Sequence, residues 1–150
     1  DVYKRQNVFT FNPDENRFQA VSGTSFSGPI VAALFWSLKQ INPDFDGWQL
    51  EAIIKAAAEP YAEIMPREQG FGYIEFRRAM FLGFMLKNQR PTLPQSKAKA
   101  IELGLIDELK ELRWLSRVLR RDLKKFQKQD SNDKSFRPEF DPWLVRKDWK

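Results

Sequence analysis

The 150 residues include no cysteine and no histidine. Lacking cysteine, the chain forms no disulfide and offers no thiolate to a metal. Lacking histidine, it is without the side chain that most often serves as general base or metal ligand near neutral pH. Long apolar runs are scarce as well. Beyond the first helical stretch the longest is Ala79 to Leu86, well short of the roughly 20 residues a membrane-crossing helix needs, so no transmembrane segment is expected. Charge is uneven: residues 1–86 carry 8 Lys+Arg against 10 Asp+Glu, and residues 87–150 carry 17 against 10. The basic character of the chain, formally +5 overall, belongs to its second part, and the length suits one domain with a core of its own.

What is present is concentrated in Val21 to Ala33, which reads V-S-G-T-S-F-S-G-P-I-V-A-A. It sets Ser25 on a glycine-flanked turn that runs directly into an apolar helical pattern. A serine on a turn is ordinarily a local hydrogen-bonding device or a helix cap. As a nucleophile it needs a base to take its proton and donors to receive the charge that develops on the attacked carbonyl oxygen. Gly23 permits close substrate approach, and a Ser25 amide at a helix N-terminus directs its N–H and the positive end of the helix dipole toward an oxyanion.

Gly23, Thr24, Ser25, Pro29, Val31 and Ala32 resemble the serine-nucleophile motif of the subtilisin-like serine peptidases, the subtilases. A second segment, Gln69 to Ala79, resembles the glycine turn, short strand and last helix with which those domains close, with Gly70, Gly72, Ile74 and Ala79 in register. Glu75 stands where Asn or Asp is usual and is a poorer helix cap. The resemblance implies the C-terminal part of an α/β domain with a parallel sheet and helices, followed here by an α-helical extension. It implies serine endopeptidase chemistry through an acyl-enzyme, with Ser25 as nucleophile, Gly23, Thr24 and Pro29 supporting the motif and the oxyanion site, and a polypeptide as substrate. Phe26 would border the leaving-group side and narrow it, and Ile30 stands where the family frequently has His. The family's Asp and His precede its Ser in sequence and would lie upstream of residue 7. The chain is therefore read as a fragment, inactive as a peptidase by itself. No metal ligand or cofactor is identifiable in it; calcium belongs to the full-length parent if the family's habit holds, and an extracellular or periplasmic location is favoured by the resemblance alone.

Along the chain, residues 1–6 (Asp1-Val2-Tyr3-Lys4-Arg5-Gln6) read as the translation of a transposon end used in preparing sequencing libraries and are set aside. Residues 7–86 read as the subtilase part. Asn7 to Phe11 and Arg17 to Val21 predict two strands around a polar turn. Phe26 to Ile41 is apolar on nearly every face, which predicts a buried central helix, with Pro29 in its first turn. Asp46 and Gln49 predict a capping box opening an amphipathic helix, Trp48 to Ala58. Residues 87–96, with two prolines, read as a linker, and 130–150 as an irregular tail that docks through Phe136, Phe140, Trp143, Leu144 and Trp149.

Between them, 97–129 predicts a coiled-coil-like helix. Leu105, Leu109, Leu112, Ser116, Leu119, Leu123 and Phe126 follow a/d spacing, Ile106, Leu115 and Val118 widen the stripe, and Gly104 either costs helix stability or marks a break. Two readings of the stripe stay open, packing on the parent domain or pairing with a second copy as a homo-oligomer. Arg117, Arg120, Arg121, Lys124, Lys125 and Lys128 would serve nucleic acid or an anionic surface. Nucleic acid is not the expectation, because Asp107, Glu108, Glu111 and Asp122 look like surface pairing partners for those cations. The rival to the enzyme is a scaffold protein with a degenerate subtilase domain and a helical oligomerisation tail.

Overall fold

A computed structural model of the chain describes residues 8–21, 24–60 and 70–129, with the backbone alone for Val8, Thr24, Phe26 and 125–129. The opening six residues, Gly23 and the 130–150 tail lie outside the described residues.

Strands β1 (Val8–Asn12) and β2 (Arg17–Val21) form an antiparallel hairpin in the register Val8 to Val21 and Asn12 to Arg17. The reversal is made by Asn12, whose side chain accepts the Asp14 amide at 3.0 Å, and by Asn16 in the left-handed region at φ 49°, a conformation asparagine tolerates better than most residues. Phe11 and Phe18 pack edge to face across the pair, ring centroids 5.4 Å apart. The mixed α/β class holds. The parallel sheet that the resemblance implies is not among the described residues, whose sheet is this hairpin alone.

Among the described residues five helices follow. Helix α1 (Thr24–Ile41) carries the motif serine, and α2 (Gly47–Ala57) opens on the expected capping box, with the Gln49 amide donating to Asp46 at 2.9 Å and the Asp46 amide to Gln49 at 3.1 Å. Helix α3 (Phe76–Met85) is capped by Glu75, whose carboxylate accepts the Arg77 amide at 3.0 Å. Helices α4 (Leu93–Glu102) and α5 (Leu109–Gln129) occupy the stretch read as linker and single long helix. Two local signals make that difference. Thr92 and Gln95 form a second capping box with Pro94 in the first turn, so helix begins inside the 87–96 segment. Gly104, at φ 68°, ends it: the Gly104 amide returns to the Ile101 carbonyl at 3.1 Å and the Leu105 amide to Ala100 at 2.7 Å, the Schellman pattern that glycine favours because it has no Cβ. Among the described residues no helix is long and apolar enough to cross a membrane.

The core lies between α2, α3 and α5. Ala52, Ile53 and Ala56 of α2, Ala79, Phe81 and Leu82 of α3, and Leu112, Leu115, Leu119 and Leu123 of α5 are buried together. The leucine stripe is thus spent inside this chain, the first of the two readings of it. Helix α1 sits on α3, where Gly83 admits Leu38: a Cβ at residue 83 would lie 2.6 Å from Leu38 Cδ2. The expected all-round burial of α1 is corrected here. Leu34 and Leu38 are fully buried, but Ile30 is 40% and Trp36 69% exposed, because the described residues place a layer against one face of the helix only.

Candidate active site

Strand β2 ends at Val21, and the next described residue, Thr24, is already the first of α1. Ser25 follows in the opening turn, exposed to solvent. The first amides of a helix have no acceptor within the helix, and the aligned peptide dipoles leave about half a positive charge at this end. The hydroxyl accordingly sits where a developing anion would be favoured. Among the described residues the Ser25 hydroxyl has no hydrogen-bond partner, and no base is placed against it.

Pro29 is the sixth residue of α1, not a first-turn residue as the sequence predicts. At that depth the proline cannot donate the amide hydrogen bond that the Ser25 carbonyl would otherwise accept. The helix beginning two residues earlier than expected makes the difference. Nothing crowds the outer side of this turn: a Cβ added at Gly28 would meet no atom within 4 Å. The structure therefore brings Thr24, Ser25 and Pro29 together at one helix end. Gly23 and the Phe26 side chain fall outside what is described.

The closing segment predicted from Gly70 to Ala79 is built as a clasp. Glu59, just past α2, and Tyr73 pair antiparallel, amide to carbonyl at 2.9 and 2.8 Å. Gly72, at φ 104°, passes so close that a Cβ would stand 2.1 Å from the Glu59 carbonyl oxygen, so no other residue fits. The Tyr73 hydroxyl donates to the Glu59 carboxylate.

That carboxylate belongs to a cluster that sequence reasoning missed. Arg78 of α3, only 5% exposed, donates to Glu59 at 3.2 Å, to Glu108 at 2.5 Å and to Glu111 of α5 at 2.9 Å. Burial works to lower the Arg78 pKa, but the Glu111 hydrogen bond and the charges of Glu111, Glu108 and Glu59 outweigh it and raise the pKa above the ordinary arginine value. Its Nε is buried without a partner. On the other side of α5, Arg120 donates to the Met85 and Lys87 carbonyls at 2.6 and 3.0 Å, satisfying the carbonyl end of α3. Burial, and secondarily the Arg90 charge, lowers its pKa. The only sequence hint of the Arg78 cluster was the pair Glu108 and Glu111 at helical spacing ahead of the leucine stripe.

Comparison with protein-family models matches residues 3–72 to the one described as the Subtilase family. The matched range contains the hairpin, the Ser25 turn, α1, α2 and the first glycine of the clasp through Gly72, and it includes Tyr3 to Gln6 of the opening set aside above. Neither a curated protein nor a solved structure matches the chain.

Proposed function

Taking residues 3–72 as what they are, a segment of the subtilase family, we propose that the parent polypeptide is a subtilisin-like serine endopeptidase in which Ser25 attacks the scissile carbonyl and forms an acyl-enzyme. One observation carries the proposal: within the matched segment, Ser25 stands exposed in the opening turn of α1, at the positive end of the helix dipole, which favours negative charge on the attacked oxygen. A base must still take the serine proton, and this chain has no histidine to do so. The histidine and its orienting acid are supplied, in this proposal, by polypeptide that seats on the open side of α1. Ile30 and Trp36 of α1 are exposed there, and Phe9 and Phe18 of the hairpin, at 74% and 73% exposure, add exposed apolar surface to the same matched segment.

Two measurements test the assignment. In the parent protein, Ser25→Ala is expected to bring hydrolysis of an unstructured casein-like substrate down to background while circular dichroism stays unchanged. Retained turnover would refute the nucleophile. The 150 residues alone are expected to show no hydrolysis and no acyl-enzyme burst, and measurable turnover by them would overturn the requirement for a base supplied from outside.

A further inference from the structure

Of the four acidic residues that, by sequence, pair with the cations of α5, two do not do so in the folded chain. Glu108 and Glu111 are turned onto Arg78 of α3. Arg120 is also withdrawn, its guanidinium spent on the Met85 and Lys87 carbonyls. What remains outward is a ridge. At 3.6 residues per turn, Lys110, Arg113, Arg117, Arg121 and Lys124 fall within a sector of about 80°, on the side of α5 away from the buried Leu112, Leu115, Leu119 and Leu123. Lys110, Arg117, Arg121 and Lys124 are exposed and Arg113 is half-buried. Among the described residues only Arg121 of these five meets an acidic side chain, Asp122 at 3.9 Å.

We propose that this ridge is a docking surface for the phosphate backbone of double-stranded nucleic acid, bound without sequence readout. From Lys110 to Lys124 the helix rises about 21 Å, and a duplex presents one phosphate charge per about 1.7 Å of its axis. A rigid row of cations of that length faces several phosphates at once and displaces their counterions, which is the source of sequence-independent affinity. The other anionic partners fit less well. A helix that binds a lipid surface buries an apolar face in it, and the apolar face of α5 is already consumed by α2 and α3. An acidic protein surface would call for an apolar or aromatic centre inside the charged rim, and the ridge residues are cationic from end to end.

The test uses the full 150-residue chain and fluorescence anisotropy with labelled duplex DNA of two unrelated sequences. Both duplexes are expected to bind equally. With about four or five phosphates engaged, affinity should fall between about 50 and 200 mM salt with a logarithmic slope near −4. Arg117→Gln with Arg121→Gln should weaken binding at least tenfold and flatten the slope by about 2, whereas Arg117→Lys with Arg121→Lys should keep most of it, since a phosphate takes either cation. Arg90→Gln with Lys97→Gln removes the same two charges from exposed positions off α5 and is expected to cost no more than about twofold, the ordinary effect of net charge. Because the ridge residues are solvent-facing, the variants should keep the wild-type circular dichroism spectrum. Equal losses in the two glutamine pairs, no binding to duplex, or binding to phosphatidylserine vesicles in place of duplex would each overturn the proposal.

Discussion

Glu75 shows how a single side chain is tied to the helix it opens. Its carboxylate accepts hydrogen bonds from both the backbone amide and the side chain of Arg77. The side-chain bond is the larger cause, partly opposed by burial, and together with the backbone bond and the Arg77 and Arg78 charges it holds the pKa below the ordinary 4.5. The sign follows from that depression. The contribution to stability is complete above the unfolded value near 4.5 and is lost as pH falls through the lower folded value. In acid titration followed by amide exchange, the first turn of α3 should therefore open before its centre does, and Glu75→Gln should remove the pH dependence while keeping part of the cap. Arg78 behaves in the opposite way. Its raised pKa keeps it charged throughout any useful pH range, so the cluster cannot relax by neutralising the guanidinium. Arg78→Met leaves Glu59, Glu108 and Glu111 facing one another and is expected to cost about 3–5 kcal/mol by denaturant unfolding.

Among the elements, those whose signals are short-range were legible in the sequence. Asp46 and Gln49 mark α2 because a capping box is complete within four residues. Gly70 and Gly72 mark the clasp because the backbone there adopts positive φ. Leu112, Leu119 and Leu123 declare a buried face because helical spacing alone puts them on one side. The Thr92 and Gln95 box was equally visible, but Pro91 and Pro94 made the stretch read as a linker. The predicted helix then ran through Gly104, and the a/d count began as though Leu105 and Leu109 shared one helix, although the chain turns between them. Arg78 was not legible at all. An arginine at the start of a helix reads as surface, and only the fold brings Glu59 and Glu111, 19 positions before it and 33 after it, to the same guanidinium. Close approach is likewise a property of the folded state. Gly83 looks like an ordinary helix-weakening residue until Leu38 is found against it. Gly83→Ala, which would raise helix propensity in isolation, should instead destabilise the chain by about 1–3 kcal/mol. Thermal melts of that variant beside Gly28→Ala, where the added methyl meets nothing, separate the two effects.

Taken whole, the chain is asymmetric in how its parts are covered. The facing apolar sides of α2, α3 and α5 are buried within the chain, and the extension is part of that core: Leu105, Leu112, Leu115 and Leu119 are essentially inaccessible to solvent. Cutting the chain before Thr92 should accordingly expose the α2 and α3 faces, abolish cooperative unfolding and raise binding of a hydrophobic dye. A truncated chain that melted with an unchanged midpoint would show the extension to be an appendage. The hairpin and α1 are the reverse case, rich in apolar residues and open on one side. Apolar periodicity all round α1 describes the surroundings a helix is built for, and the described residues supply only one wall of them.

The solvent-facing ring of Trp36 turns that openness into an optical gauge. An indole in water emits toward the red and is readily quenched by acrylamide, and a covered one does neither. The difference spectrum between wild-type chain and Trp36→Phe isolates this ring from the other four tryptophans. Adding the polypeptide proposed to seat on α1 and watching that difference move to the blue would report directly whether the helix that carries Ser25 becomes covered on its second side, without any need for the chemistry to be switched on.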